Sequence, residues 1–464
     1  MKRIIFITMA LLLFNLSCTT RQGKNGSQEA SCKVRLITLD PGHFHAALVQ
    51  KISYPQVCKD VYVYAPQGDD LKEHLKRIDG YNTRAESPTA WNEIIYTGAD
   101  YLEKMLKEKK GNVMVTAGNN GKKTAYIKAT LSQGINVLAD KPMAITVADF
   151  NMLKECFEIA KQKGVLLYDI MTERFEITTI LQKEFSLIPG VYGVQQKGTP
   201  DDPGIVKESV HHFLKTVSGN PLIRPVWFFD VGQQGEGIVD VTTHLVDLVQ
   251  WECFPGQIID TKEVQLIDAN RWATTMTLAE FQKVTGHEAF PDFLKKDIRD
   301  NVLHVFSNGD ITYRIKDVIA KVSVIWNYTF PEGGGDTHYS IMKGSKSHLI
   351  IEQGKEQGYK PQLTIKAVKG TDLIAFEKEL TQALKTVSSK YPGVTITKHS
   401  EGLWKVEAPA IYHNGHEAHF GQVTENFLKY LSEGALPAWE VPNMITKYSI
   451  TTGALEMAKN KTRP

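Results

Sequence analysis

Two short stretches carry residue types that could do chemistry together. The apolar run INVLA, residues 135–139, ends in Asp140-Lys141-Pro142, and about a hundred residues later GEGIVDVTTHLVDLVQWE places Asp240, His244 and Asp247 at i, i+4 and i+7. On a helix that spacing puts a carboxylate, an imidazole and a second carboxylate along one face. Such a polar stripe among apolar residues is costly to bury. Histidine exchanges a proton near neutral pH. Pro142 has no amide donor and a fixed φ, so a strand ending at Asp140 cannot continue its ladder and Lys141 is held at the sheet edge. An imidazole set between carboxylates on one face suits general acid/base work.

The elements that must position these residues alternate. VRLITL, DVYVYA, NVMVTAG, INVLA and VLLYDIM read as strands. HAALVQKI, LKEHLKRI, KKTAYIKATLSQG and VADFNMLKECFEIAKQKG read as helices, the last two closed by Gly134 and Gly164. This is the βαβ rhythm of a doubly wound parallel sheet, whose ligands bind beyond the carboxyl ends of the strands. Past residue 172 the runs VYGVQQKG, ITYRIKDVIAKVSVIWNYTF, HLIIEQG and QLTIKAV lie close together without a helix between each pair. They imply a large, mostly antiparallel sheet in an α+β domain. Helices are expected over 417–432 and 444–459. The expected division is 33–171 for a nucleotide-binding domain and 172–464 for a substrate-binding and oligomerisation domain.

ADKP and DVTTHLVD, in this order and on these elements, resemble the glucose-fructose oxidoreductase / inositol dehydrogenase (Gfo/Idh/MocA) family. The likeness also covers 132–164 and the closing FLKYLSEGALPAWE. It implies an NAD(P)-dependent oxidoreductase of a sugar, glycoside or polyol, in which Lys141 holds the reacting hydroxyl, His244 is the general acid/base and Asp240 orients the substrate or tunes the histidine. Cofactor contacts are expected from Gly42, His43, His45, Asp69, Asn119, Asp140, Lys141 and Pro142, and substrate contacts from Arg174, Asp247 and His212. Family members often pair through the open sheet, so a homo-oligomer is expected.

The resemblance departs at the nucleotide turn. Where the family shows Gly-x-Gly-x-x-Gly, this chain reads Asp40-Pro41-Gly42-His43-Phe44-His45, and an aspartate beside a pyrophosphate is electrostatically unhelpful. Asp69 and Asp70, after the second strand, oppose a 2′-phosphate and favour NAD over NADP. HNGHEAHF, residues 413–420, lacks the His-Glu-x-x-His spacing of a zinc helix. No metal is expected there, at His211-His212 or at His43/His45, and Asp336 and His338 are expected to be structural. Arg174 is either a substrate contact or a surface ion pair.

A chain of 464 residues suits two or three domains, and a net charge of +2 with 23% charged residues points to no nucleic acid. Lys2 and Arg3 precede an apolar run too short to span a bilayer, and NLSC ends it. The motif resembles a bacterial lipobox. Residues 1–18 are then a signal segment, Cys18 the lipidated residue, and 19–32 a polar tether, on a periplasm-facing protein anchored in the cell envelope, more readily the outer membrane. Cys32, Cys58, Cys156 and Cys253 are buried thiols or form at most one disulfide. Three functions stay open: a dehydrogenase, a redox-neutral NAD-dependent glycosidase, lyase or epimerase with a tightly held cofactor, and a non-catalytic carbohydrate-binding lipoprotein.

Overall fold

Strands apolar at nearly every position must be covered on both faces, which a parallel sheet flanked by helices provides. The computed structural model describes residues 32–217, 220–330 and 333–461, so Cys18, the signal segment and nearly all of the tether lie outside the described residues. Six parallel strands, β1 (Leu36–Leu39), β2 (Asp60–Tyr64), β3 (Asn92–Tyr96), β4 (Val113–Thr116), β5 (Asn136–Asp140) and β6 (Leu167–Ile170), lie in the order β3-β2-β1-β4-β5-β6. The order reverses direction between β1 and β4, so the turns that follow them border one crevice. The edge strand β3 went unread in the sequence: its run NEIIY is short, begins with two polar residues and, at the sheet edge, leaves Ile94 and Ile95 exposed.

The helices are α1 (His45–Leu48), α2 (Asp69–Thr83), α3 (Tyr101–Glu108), α4 (Asn120–Ser132) and α5 (Val147–Lys163). A capping box between Thr146 and Asp149 starts α5, and Gly164, at φ 66°, closes it where the sequence places its end. The first helix is shorter than HAALVQKI implies: it stops at Leu48 because the chain turns back, with the Cys58 amide donating to the Val34 carbonyl at 2.8 Å and a disulfide joining Cys58 to Cys32. Cys156 and Cys253 are free thiols.

The second sheet has ten strands. In spatial order nine are Val264–Thr277, Val302–Ile315, Val318–Asn327, Ile205–His212, Thr337–Lys343, Ser347–Gln353, Gln362–Ala367, Leu403–Glu407 and Thr395–Ser400, and Ile298–Arg299 pairs beside the second. Among these, Ile205–His212 runs parallel to Val318–Asn327 and the other pairings are antiparallel. VYGVQQKG is a turn rather than a strand, joined to the sheet by a bridge from Gln195 to Gly344 and by the Ile319 amide donating to the Lys197 carbonyl at 2.7 Å.

Both C-terminal helices form, as His416–Glu433 and Glu440–Lys461. Their placement crosses the expected boundary. Phe420, Phe427, Met444 and Tyr448 pack into the core of the first sheet, while Ile450, Ala454 and Leu455 belong to a core under the second. One helix thus ties two cores together and fixes the cleft between them.

Candidate active site

Lys141 leaves the end of β5 through a cis bond to Pro142. Its ammonium reaches across the cleft to Asp240 Oδ1 at 2.6 Å, and Gln234 donates to the other oxygen at 3.0 Å. Burial pulls the Lys141 ammonium toward neutrality, but Asp240 and Asp140 outweigh it, and its pKa lies above the ordinary lysine value. The helix carrying His244 begins at Thr242, later than the pattern implies, so Asp240 sits in the turn before it, with its amide held by the Glu236 carbonyl.

His244 is buried, and its Nδ1 has no hydrogen-bond partner. Burial first, then the Lys141 charge and His416, hold its pKa well below 6.5. The imidazole is therefore a neutral, unpartnered base next to a fixed cation. A pH profile of kcat/KM tests this directly. It is expected to stay level as pH falls through 6.5, the ordinary imidazole value, and to decline only below it; an acid limb centred there assigns the base elsewhere.

At the nucleotide turn, Asp40 takes the positive φ of 47° that the family gives to glycine. Aspartate tolerates this region better than most residues. Its carboxylate is turned aside, accepting from Tyr126 Oη at 2.8 Å, and so does not face the space above the turn. Gly118, after β4, supplies the close approach instead: a Cβ there meets the Asp40 carbonyl oxygen at 2.6 Å and the Gly42 nitrogen at 2.7 Å. The turn thus keeps the backbone shape of a dinucleotide site without two of its glycines.

Trp227, from the second domain, closes the mouth of that turn. A Cβ on Gly42 meets the Trp227 ring and Asp70 Oδ2 at 3.1 Å each, and the indole donates to Asp70 at 2.9 Å. Burial raises the Asp70 carboxyl to about 6. The residues fit a dinucleotide at Lys141 and in the backbone of the Gly42 turn only once the Trp227 ring is withdrawn. Asn119 is drawn into the same closure: it accepts from the Gly121 amide, and its own amide donates to Gln233 at 2.7 Å. Asp69, expected to face the cofactor, instead stands in solvent beside Lys72, and Asp70 takes the inward position. One residue of register on α2 separates the two.

Arg174 and Asp247 are corrected more sharply. Arg174 is buried rather than at the surface, grips both oxygens of Asp247 at 2.6 and 2.7 Å, and donates to Glu440 at 2.8 Å. Lys447 joins Asp247 at 2.9 Å to Asp169 at 2.7 Å. Burial alone pushes Asp247 up, but the two cations outweigh it and hold the carboxyl far below its usual range. These ion pairs engage both oxygens of Asp247 in the interior and leave neither for a substrate. The helix stripe therefore divides, Asp240 toward Lys141 and Asp247 into an ion network. His212 likewise spends its Nδ1 on Asp336 at 2.9 Å, and Asp336 also holds Lys215 at 2.7 Å.

Other residues enter the site only through the fold. His43 and His45, after β1, stand beside Asp140, with His45 Nδ1 2.9 Å from its carboxylate. Lys123 is fully buried and braces the end of β5 by donating to the Asp140 carbonyl at 2.9 Å. Burial, with Glu176 adding to it, raises Glu173 to about 7, and Lys141 opposes the shift. His416 lies with its ring 5.4 Å from that of His45. No spacing signal marks Trp227, Lys123 or His416, whose partners are far away in sequence.

Two family profiles match the chain. "Oxidoreductase family, NAD-binding Rossmann fold" covers residues 70–169, and "Putative oxidoreductase C terminal domain" covers residues 181–459. None of the curated proteins matches. Among solved structures, a "putative oxidoreductase" from Parabacteroides merdae ATCC 43184 is 69% identical, with a TM-score of 0.92 over 94% of this chain and 99% of that one. KijD10, a 3-ketoreductase from Actinomadura kijaniata in complex with NADP, is 11% identical with a TM-score of 0.56, over 91% of this chain and 97% of that one. A levoglucosan dehydrogenase in complex with NADH is 12% identical with a TM-score of 0.57, over 92% and 97%. The last two share the fold alone. With Lys141 at the end of β5, His244 on its helix and both family profiles in place, the chain belongs to the Gfo/Idh/MocA oxidoreductases, with the family's NAD-binding Rossmann fold in its first half and its oxidoreductase C-terminal domain in its second.

Proposed function

We propose that the enzyme oxidises a hydroxyl-bearing carbon of a sugar or glycoside, with Lys141 steadying the alkoxide as it forms and His244 taking the hydroxyl proton. The nicotinamide, when bound, accepts the hydride, which no side chain can. The observation that carries this reading is the 2.6 Å Lys141–Asp240 pair beside the neutral, unpartnered His244. Asp240 keeps the lysine charged and aimed, and Gln234 fixes the carboxylate in turn. The likeness to a levoglucosan dehydrogenase complexed with NADH and L-sorbose supports the same substrate class. Asp70, at the mouth of the turn, supports NAD over NADP, since its charge opposes a 2′-phosphate.

A second, redox-neutral reading is favoured by the Trp227 closure. A ring that withdraws to admit the dinucleotide and then closes over it would slow exchange, and hydride would return to an intermediate before product leaves, which would give net cleavage, elimination or epimerisation. Both readings are tested by supplying candidate glycosides with and without added NAD while following product and the absorbance of reduced nicotinamide. One equivalent of reduced NAD per product, with a demand for fresh NAD, establishes the dehydrogenase. Many turnovers without net reduction establish the closed cycle, and no product in either case overturns the carbohydrate assignment. In the closed cycle Trp227→Ala is expected to speed NAD release at least ~10-fold, a loss of about 1.4 kcal/mol of barrier, as read by displacement of bound NAD; an unchanged rate removes the ring from that role.

The proposal extends to location: the protein is held in the cell envelope through a lipid on Cys18. The Cys32–Cys58 disulfide supports this, because such bonds persist in oxidising compartments. Cys18→Ser is expected to move the protein from the detergent phase to the aqueous phase, and equal partitioning of the two forms rejects the anchor.

A further inference from the structure

We propose that His43, His45 and Asp140 form a binding site for a divalent metal ion of the zinc class. The turn after β1 presents the two histidines two residues apart, and the end of β5 presents the carboxylate. One ligand atom from each of the three lies within 4.8 Å of the other two. His45 stands 2.9 Å and His43 3.8 Å from the same carboxylate oxygen. Ligands bound at ~2.0–2.2 Å in tetrahedral geometry sit roughly 3.3–3.6 Å apart, and the two separations fall either side of that range, so a shift of about half an ångström in each imidazole brings them onto it. Two imidazoles and one carboxylate also form the three-ligand set of catalytic zinc, in which the fourth position stays open.

The surroundings hold this set in place. The two imidazoles meet edge to face with centroids 4.0 Å apart, and Phe44 and Phe420 each pack 4.5 Å from the His45 ring, which limits its rotation. The nearby cations are engaged elsewhere, Lys141 with Asp240 and Lys123 with Asn120 and the Asp140 main chain. The Asp140 carboxylate is thus left facing the two histidines. A carboxylate converging with two imidazole nitrogens is a poor cradle for a phosphate and a good one for a cation. The open side faces the cleft, where His416 approaches His45 and where Lys141 stands next to Asp140 in sequence.

Without a metal, the same residues form a plain hydrogen-bonded pair, His45 donating to Asp140 while His43 Nδ1 accepts from the His45 amide at 3.4 Å. The experiment separates the two. The full protein is stripped with a chelator and titrated with zinc alone against a chromophoric competitor, and with cobalt(II) while the visible d–d bands are recorded. One equivalent is expected, with intense cobalt bands of a four- or five-coordinate nitrogen/oxygen site. His43→Ala, His45→Ala and Asp140→Asn are each expected to weaken zinc at least ~10-fold, while the exposed His413→Ala leaves it unchanged. Circular dichroism checks that each variant is folded; if one is not, the partly exposed His43→Ala and the wild-type cobalt spectrum still decide. Zinc binding that survives all three substitutions, or no stoichiometric binding by the wild type, overturns the site. Because the readout is metal rather than turnover, either outcome leaves the hydride-transfer reading to its own test.

Discussion

Lys141→Ala is expected to lower turnover at least ~100-fold while the protein stays folded and retains its nucleotide. Lys141 is the cation nearest the reacting oxygen in the proposed mechanism, and its ammonium is held charged by Asp240 at 2.6 Å and by Asp140. Its removal leaves the buried Asp240 carboxylate with the Gln234 amide at 3.0 Å but without its cation, so circular dichroism is recorded beside turnover to separate lost stability from lost chemistry. The loss therefore falls on kcat, where a charge that develops in the transition state is felt, and KM changes little. Lys141→Arg retains the charge but replaces a compact ammonium with a planar fork, and recovers only part of the rate. His244→Ala is expected to match the alanine variant at position 141 in size. Its Nδ1 has no partner to lose, so a fall in activity without a fall in stability identifies the base. Near-full activity in either alanine variant sinks the assigned roles.

The second large effect is on stability. Arg174→Ala is expected to destabilise the protein by about 3–5 kcal/mol, the usual cost of removing one partner from a buried ion pair. Around it, Asp247, Glu440 and Asp169 contribute three carboxylates, against which only Arg174 and Lys447 are placed. Without the guanidinium, one ammonium faces three buried acids, Asp247 Oδ2 loses its donor, and Oδ1 keeps Lys447 while Glu440 Oε1 keeps the Tyr168 hydroxyl at 3.3 Å. The network also joins the nucleotide sheet, through Asp169 on β6, to helices Thr242–Cys253 and Glu440–Lys461, so its loss loosens the cleft as well as the core. Urea unfolding followed by circular dichroism measures the effect. Arg174→Lys, which keeps the charge without the two-pronged grip, is expected to lie between wild type and alanine. An alanine variant with unchanged stability but a raised KM returns Arg174 to the substrate site.

Locally encoded features were readable in advance. The strands β1, β2, β4, β5 and β6 are runs that can only be buried on both faces, Gly164 closes α5 as a left-handed cap, and Pro142 stops a ladder by its own covalent structure. Lys141 and His244 were legible for the same reason, since each sits in a motif a few residues long. The edge strand β3 and the strands of the second sheet with one exposed face carried a weaker apolar signal. Whether Cys32 found a partner was open until the chain turned at Leu48 and brought Cys58 back beside it.

The amino-acid order by itself therefore determined the family, the parallel sheet, the lysine at the end of β5 and the helix histidine, because backbone chemistry and apolar periodicity act over a few residues. The tertiary structure decided everything that depends on which distant groups meet. Asp69 and Asp70 are equivalent in sequence until α2 packs and turns one outward. Asp240 and Asp247 share a stripe until Lys141 claims one and Arg174 the other, 99 and 73 residues away along the chain. His43 and His45 gain a carboxylate from position 140 only because β1 and β5 end at the same edge of one sheet. Charges and polar groups taken out of water must find partners wherever the fold brings them, and that pairing is a property of the packed chain rather than of any stretch of it.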